Sequence, residues 1–159
     1  MVKLIWAMTH ENVIGKDNKI PWHIKEDLLY YKDCTKGQTV LMGEATYYSL
    51  KGYYKTRPLP YGKIYVASLN LDLNLEDAVV VNDAVSFLKV TKEDLWVVGG
   101  ASIYKLALPY ADELYVSFIN KNYDGDTYFP KIDWDKFRLK WENKTEEVQY
   151  TIFERKKSV

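Results

Sequence analysis

Short apolar stretches rich in β-branched and aromatic residues alternate along the chain with segments whose apolar positions recur at helical spacing. Runs of the first kind predict strands, and recurrence every third or fourth position predicts helices. Strands are predicted at residues 2–8, 39–42, 63–67, 78–81, 95–98, 114–119, 136–142 and 149–155. Helices are predicted at 25–35, 45–50, 84–88 and 101–108. The alternation predicts an α/β fold with a largely parallel sheet, and the last two strands predict an antiparallel edge.

Two stretches lie outside these elements. The first, 9–23, follows the first strand and contains a glycine, an Asp-Asn pair and a proline, which favour turns. A loop of this length in a small chain is more often functional than idle. The second, 51–62, contains two glycines and two prolines and is interpreted as an exposed connection.

The composition excludes several classes of protein. The 159 residues fit one domain, 1–159, and no apolar run approaches the roughly 18 residues that a membrane span needs. Lys plus Arg and Asp plus Glu both number 22, so no global field attracts nucleic acid or a membrane. Cys34, His10 and His23 make a poor metal set and allow no internal disulfide. We expect a cytoplasmic monomer without a structural metal.

The helix predicted at 25–35 has one informative face. Helical spacing places Asp27 beside Leu28 and Tyr31. Desolvation raises the pKa of a carboxylate on an apolar face, so such a site prefers a ligand that donates paired hydrogen bonds, as a protonated aminopyrimidine edge does. The alternative is that Asp27 belongs to an exposed turn with Glu26 and Asp33, and this segment alone favours that alternative.

Two strand-to-helix turns carry glycine. Gly99 and Gly100 follow the strand at 95–98, and Gly43 ends the strand at 39–42 with Thr46 close behind. Bare backbone N–H groups at such turns can hold phosphate, although glycine also occurs there for steric reasons alone. The third glycine of the dinucleotide fingerprint is missing. Two turns on parallel strands suggest one dinucleotide lying across the carboxyl edge of the sheet.

Six segments in order resemble the dihydrofolate reductase family over essentially the whole chain: LIWAM at 4–8, VIGKDNKIPWHIKEDL at 13–28, TVLMGEATYYSL at 39–50, RPLP at 57–60, WVVGGASIYKLALP at 96–109 and LYVSFINKNYDGDTYFP at 114–130. The resemblance implies reduction of 7,8-dihydrofolate to tetrahydrofolate by hydride from NADPH. It also implies an eight-stranded, mostly parallel sheet with an antiparallel C-terminal edge strand and four flanking helices.

The resemblance also implies residue roles. Asp27 would grip the pterin amidine edge while a water, ordered by Trp22 and Ser117, delivers the proton. The substrate would contact Ile5, Ala7, Leu28, Tyr31, Leu50, Leu59, Val98 and Tyr104. The cofactor would contact Ala7, Gly43, Ala45, Thr46, Val98, Gly99, Gly100, Ala101, Ser102, Ile103 and Tyr104. A loop that contains Ile14, Asn18 and Ile20 would close over the nicotinamide.

Two departures fall where relatives hold the cofactor's 2'-phosphate. The family usually places a basic residue at the position of Glu44, and many relatives carry an arginine where this chain has Ser68 and Leu69. Glu44 could instead accept a hydrogen bond from a free ribose 2'-hydroxyl, as carboxylates do in NAD sites. NADPH is the cofactor that the resemblance implies, and a relaxed or reversed preference toward NADH is a hypothesis.

A third departure concerns the arginine that in relatives holds the glutamate of folate. Its position is taken by Gly62 or Lys63, and we hypothesise that Lys63 substitutes with weaker binding, because Lys lacks the planar fork of Arg. About five extra residues precede RPLP and make Lys51 and Lys55 further candidates for either charged group. Two alternatives stay open: a reductase of a tail-less pterin or deaminated pyrimidine, and a non-catalytic nucleotide-binding module.

The remaining candidate functional residues are interpreted as structural. Gly125 and Asp126 form a predicted turn in which Asp126 caps its own backbone, although in relatives this loop also braces the nicotinamide lid. His10 and His23 are interpreted as solvated loop residues. Cys34 is interpreted as a half-buried packing residue of the first helix.

Overall fold

The computed structural model describes residues 1–17 and 19–157. Its strands are β1 Val2–Thr9, β2 Val13–Gly15, β3 Thr39–Gly43, β4 Lys63–Ala67, β5 Val79–Val81, β6 Leu95–Val97, β7 Glu113–Ile119, β8 Thr127–Tyr128, β9 Phe137–Lys144 and β10 Val148–Arg155. Its helices are α1 Lys25–Thr35, α2 Glu44–Tyr54, α3 Ala84–Val90 and α4 Ala101–Ala107. Two single turns of 3-10 helix, Leu108–Tyr110 and Trp134–Lys136, complete the regular structure of these residues.

Eight of the strands form one sheet in the order β5-β4-β3-β6-β1-β7-β10-β9. The first six in this order pair in parallel, and β10 runs antiparallel to both of its neighbours. The predicted α/β fold with a mostly parallel eight-stranded sheet and four helices is confirmed. The antiparallel strand lies one position inside the edge, which β9 occupies.

Helices cover both faces of the sheet, and this explains the near-continuous apolar character of its central strands. Successive side chains of a strand point to opposite faces. Leu4 and Trp6 therefore pack in the cluster that includes α3 and α4, and Ile5 packs in the cluster that includes side chains of α1 and α2. Leu41 and Val97 on the neighbouring strands have no exposed surface.

Two predictions about the connections were wrong in part. Residues 51–54 were predicted as an exposed connection but form the last turn of α2, where Tyr54 packs against the buried cluster beneath α1 and α2. The gain from burying this tyrosine outweighs the helix penalty of Gly52, which is about 1 kcal/mol for glycine. The loop predicted at 9–23 contains β2, which pairs with β8 in a separate two-stranded sheet.

Within residues 1–17 and 19–157, every helix is too short or too polar to cross a membrane.

Candidate active site

Residues on three adjacent strands lie side by side beneath the start of α1. Ala7 of β1 lies beside Ser117 of β7, and Ser117 lies beside Tyr150 of β10. Asp27, in the first turn of α1, accepts a hydrogen bond from the buried Ser117 hydroxyl. Trp22 is buried in the cluster that also contains Tyr150 and the partly buried Ala7. The structure thus brings together the residues predicted as catalytic.

Burial controls the protonation of Asp27. The pKa of Asp27 is raised to about 6, chiefly because burial removes the carboxyl group from water; the Ser117 hydrogen bond lowers the pKa in part, and the nearby charge of Glu26 raises it. A carboxyl group with this pKa changes its charge near neutral pH. Perturbed groups of this kind occur preferentially at functional sites, so the functional interpretation of Asp27 gains support over an exposed helical turn.

Glu26 is held in place by the turn between the last two strands of the sheet. Its carboxylate accepts a hydrogen bond from the Thr145 hydroxyl, which lies in the turn between β9 and β10. The Tyr150 hydroxyl is a second donor to Glu26, and the Tyr150 ring lies 4.5 Å from the ring of Tyr30 on α1. These contacts tie the first turn of α1, and with it Asp27, to the antiparallel end of the sheet.

The predicted pterin surroundings come together in the middle of the sheet. Ile5 is buried, and Val98, which directly follows β6, packs in the same cluster. The buried Tyr104 hydroxyl donates to the Ile5 carbonyl over 2.7 Å. A carbonyl oxygen has two lone pairs, so the Ile5 oxygen keeps one acceptor site.

The predicted wall of the benzoyl pocket is formed by three of its four members. Tyr31, Leu50 and Leu59 pack in the cluster under α1 and α2, whereas Leu28 is 48% exposed. Tyr61 joins this wall, because its hydroxyl lies 2.9 Å from the Tyr31 hydroxyl. The sequence analysis missed Tyr61, although an aromatic residue directly after RPLP was a visible departure.

The glycine turns at the carboxyl ends of β3 and β6 meet. The Gly43 N–H donates to the Gly99 carbonyl over 2.8 Å, and a Cβ at Gly43 would lie 2.9 Å from Cγ1 of Ile103. Gly99 has a φ of +125°, which side chains rarely allow, and a Cβ at Gly100 would contact the Thr46 hydroxyl. The result is a backbone surface free of side chains, and this surface fits the close approach of a pyrophosphate.

A cleft of about 340 Å³ opens beside this surface. It is lined by Ala101, Ser102, Lys105, Tyr128, Pro130 and Lys131. Two of these residues belong to the predicted cofactor set. The two lysines, which the sequence analysis did not single out, give this end of the sheet local positive charge although the chain as a whole has none.

The residues at the predicted 2'-phosphate position also meet. The Ser68 hydroxyl donates to the Glu44 carboxylate over 3.3 Å, next to the start of α2. Leu69 is 93% exposed, and Ala45 is exposed beside Glu44. Among the described residues Glu44 forms no salt bridge, so this corner presents a carboxylate that no cation neutralises.

The lysines proposed for the folate glutamate lie elsewhere. Lys63 begins β4, and its ammonium pairs with Glu93 over 3.3 Å and lies 4.8 Å from the Tyr65 ring centroid. These contacts raise the pKa of Lys63 and hold it beside the start of β6. Lys51 pairs with Asp77 over 2.7 Å. The structure therefore does not bring Lys63 or Lys51 to the pocket beneath α1.

The predicted nicotinamide loop is linked to the turn at Gly125 and Asp126. The Asp17 N–H donates to the Asp126 carboxylate over 3.0 Å, and this bond lowers the pKa of Asp126. A Cβ at Gly125 would lie 2.2 Å from Val13, so only glycine fits this contact. Asp126 thus caps the facing loop in addition to accepting from Thr127.

Ile14 packs against the cluster under α3 and α4, and Ile20 is 64% exposed. Asn18 lies outside the described residues.

The chain is similar to known proteins over nearly its whole length. The family model described as dihydrofolate reductase matches residues 1–156. A dihydrofolate reductase of Bacillus subtilis is 34% identical, with 99% of this chain and 96% of the relative covered, and a type 3 dihydrofolate reductase of Salmonella typhimurium is 39% identical, with 89% and 83% covered. The structure of Enterococcus faecalis dihydrofolate reductase complexed with NADP(H) and RAB-propyl superposes with a TM-score of 0.83 at 29% identity, covering 99% of this chain and 97% of that one. The chain belongs to the dihydrofolate reductase family, whose members reduce dihydrofolate with NADPH.

Proposed function

We propose that this chain reduces 7,8-dihydrofolate to tetrahydrofolate at the pocket beneath α1. The observation that carries the proposal is the partly buried carboxyl group of Asp27, with the Ser117 hydroxyl as its donor and a pKa of about 6. An isolated buried carboxylate is costly, and a flat heterocycle that donates two parallel hydrogen bonds would stabilise its ionised form. The amidine edge of a pterin has this arrangement of donors.

NADPH, when bound, supplies the hydride. The glycine surface formed by Gly43, Gly99 and Gly100 would hold its pyrophosphate, with Ala101, Ser102 and Thr46 at its margin. Ile5, Ala7 and Val98 would separate the pterin from solvent, and Tyr104 would keep the Ile5 carbonyl oriented. The chain's own contribution is therefore alignment of the two rings, exclusion of water and control of one proton.

The proton is controlled by Asp27 together with its neighbours. The ionised carboxylate would bind the amidine edge and raise the proton affinity of the ring nitrogen that is reduced. Trp22 and Ser117 would order the water that delivers the proton. Asp27 need not donate the proton itself.

Purified protein mixed with dihydrofolate and NADPH tests the proposal. We expect consumption of both, with tetrahydrofolate identified as the product by chromatography. Consumption of NADPH without dihydrofolate present would indicate a different acceptor. Tight binding of both ligands without turnover would instead indicate a non-catalytic module.

A second candidate concerns cofactor preference. The Glu44 and Ser68 pair favours a ribose 2'-hydroxyl, because a carboxylate accepts from a hydroxyl and repels a phosphate. We propose that the chain discriminates less between NADPH and NADH than a site with two cations would. Dissociation constants for both reduced cofactors, measured by fluorescence without substrate, test this.

We further propose that the protein acts as a cytoplasmic monomer with small-molecule partners alone. The single cysteine of the chain fits a reducing compartment. Sedimentation equilibrium with and without NADPH tests the monomer.

A further inference from the structure

The segment between β4 and β5 is tied to α2 near both of its ends. We call residues 68–78 the connecting segment. Near its start, the Ser68 hydroxyl donates to the Glu44 carboxylate over 3.3 Å, which is long for a hydroxyl donor. Near its end, Asp77 forms a second tie to the same helix. The two ties use different residues of α2, so the first can open while the second stays closed.

The second tie combines an ion pair with a hydrogen bond from a buried phenol. The Lys51 ammonium lies 2.7 Å from one carboxylate oxygen of Asp77, and the Tyr47 hydroxyl donates to the other. The Tyr47 ring is buried in the cluster under α1 and α2, against which Leu75 and Ala78 of the connecting segment also pack. With two donors and this packing, the second tie is the stronger one. We call Tyr47, Lys51 and Asp77 the Asp77 cluster.

The Asp77 cluster keeps its protonation state around neutral pH. Burial alone would raise the pKa of Asp77, but the hydrogen bonds from Lys51 and Tyr47 together lower it. Burial and the bond to Asp77 raise the pKa of Tyr47 to about 12. The carboxylate therefore stays an acceptor and the phenol stays a donor.

The turn that carries Ser68 is shaped from the side of β5. The Asn70 N–H donates to the Ser68 hydroxyl over 3.1 Å. Asn82, which directly follows β5, donates from Nδ2 to the carbonyls of Ser68 and Asn70 over 2.9 and 3.2 Å. These bonds set the shape of the turn. The bond to Glu44 and the Asp77 cluster join the turn and the rest of the connecting segment to α2.

The two nicotinamide cofactors would treat the first tie differently. A 2'-phosphate is repelled by Glu44, and its oxygens can accept the single hydroxyl proton of Ser68 in place of Glu44. A free ribose 2'-hydroxyl instead donates to Glu44, and a carboxylate has room for this second donor beside Ser68. The first tie thus opens for NADPH and stays closed for NADH.

We propose that Asp77 is a positioning residue for the cofactor, which holds the connecting segment against α2 when the 2'-phosphate of NADPH separates Ser68 from Glu44. The inference rests on the proposed cofactor contacts of Glu44 and Ser68. With the Asp77 cluster intact, the Ser68 hydroxyl stays within reach of the phosphate. Without it, binding has to order the connecting segment, and this ordering lowers the affinity. The loss falls mainly on NADPH, because NADH leaves the first tie closed.

Dissociation constants of the free enzyme for NADPH and NADH, followed by protein fluorescence, test the inference. Tyr47→Phe keeps the buried ring and removes the donor, and Asp77→Ala removes the acceptor. We expect each change to raise the Kd for NADPH about 10-fold and the Kd for NADH about 2-fold. Asp77→Asn keeps an acceptor for the phenol without the charge and should raise the Kd for NADPH by an intermediate factor.

The matched control is Asp72→Ala. It removes an exposed acid of the same segment, which forms no salt bridge among residues 1–17 and 19–157, and it should leave both Kd values unchanged. In the variants of the Asp77 cluster, the KM for dihydrofolate should stay at the wild-type value, because Asp27 lies at the other end of the groove. This constant shows that the substrate pocket is folded.

A Glu44→Gln background separates positioning from general support of the fold. A neutral glutamine does not repel the phosphate, so adding Asp77→Ala to this background should raise the Kd values for NADPH and NADH by the same factor, about 2-fold. A residue that only supports the fold would weaken both cofactors equally in the wild-type background as well.

Two results would overturn the inference while the proposed reduction stands. In one, the wild type reduces dihydrofolate, but Tyr47→Phe and Asp77→Ala leave the Kd for NADPH unaltered. In the other, both variants raise the Kd values for NADPH and NADH equally. If the wild type binds neither cofactor, the proposed function itself fails, and this inference fails with it.

Discussion

Asp27 and Glu44 are carboxylates at the two ends of the proposed ligand groove, and their surroundings differ. Asp27 lies in the first turn of α1 against the buried Ser117, and burial raises its pKa to about 6. Glu44 lies at the start of α2 beside Ser68, at the margin of the sheet. In the proposed function the same group controls a proton at one end and selects a sugar at the other, because its neighbours differ.

The largest effect should follow from Asp27→Asn. Loss of the ionisable group should lower kcat/KM for dihydrofolate about 10²–10⁴-fold, the usual range for a positioned acid or base. In the wild type, Asp27 and the bound pterin hold between them the one proton that the reduction needs, so activity should fall as pH rises through about 6 and this proton leaves the complex. Rates across pH 5–9, a range of about four units around this pKa, should show this inflection in the wild type and not in the variant.

Stability gives the control for this substitution. The folded-state pKa of Asp27 lies above the 3.8 of an unperturbed aspartate, so the ionised carboxylate destabilises the fold and stability falls as pH rises between about 4 and 6. Above pH 6 the Asn variant should be more stable to urea by about 1–2 kcal/mol, allowing for partial solvation. An inactive variant that is less stable than the wild type there would contradict the assignment. Asp33→Asn, on the exposed side of α1, should change neither quantity.

Glu44→Arg should have the next largest effect, at the other end of the groove. A guanidinium in this place would pair with the 2'-phosphate, so the Kd for NADPH should fall about 10-fold while the Kd for NADH stays the same. Fluorescence titration of the free enzyme measures both constants. Glu44→Gln separates loss of repulsion from gain of attraction. An NADPH affinity that is already about 100-fold above that for NADH in the wild type, and does not respond to either change, would refute the role of Glu44.

Ser117→Ala should shift protonation at the Asp27 end without removing the carboxyl group. The serine hydroxyl donates to the ionised form, so its loss should raise the pKa of Asp27 by about one unit and move the pH inflection upward. Ser117→Thr keeps the hydroxyl and should restore the wild-type profile. An inflection that stays in place in the alanine variant would exclude this hydrogen bond as a control on Asp27.

The smallest effect is expected from Glu26→Gln. The charge of Glu26 raises the pKa of Asp27. Its removal should therefore lower the pH at which the rate profile bends by a few tenths of a unit. The glutamine carbonyl can still accept from Thr145, so α1 should keep its place. Added salt should reduce the difference between the wild type and this variant, whereas a salt-independent difference would point to a structural cause.

The fold and the Asp27 end were predictable from the sequence for physical reasons. Central strands buried on both faces, such as β1 and β6, have continuous apolar runs, and glycines mark the turns that follow β3 and β6. Helical spacing over α1 alone favoured an exposed turn for Asp27, and the specific combination of motifs identified it as a candidate. Local regularity was enough for the central strands and the glycine turns.

The features that the sequence analysis missed depend on contacts between residues far apart in the sequence. The pairing of β2 with β8 joins segments separated by more than a hundred residues and is too short to leave a pattern. The last turn of α2 contains Gly52 and was predicted as a connection, since the packing of Tyr54 cannot be read from the chain. The ion pair of Lys63 with Glu93 and the contact of Tyr31 with Tyr61 each join residues 30 positions apart, which only the tertiary fold brings together.

The position of β10 affects how the protein is made. This strand lies between β7 and β9, although it follows β9 in the sequence. The edge of β7 that pairs with β10 therefore has no hydrogen-bonding partner until residues 148–155 have left the ribosome. A nascent or truncated chain that stops before Val148 would display an unpaired apolar strand edge, the kind of surface on which unrelated chains add strands and aggregate.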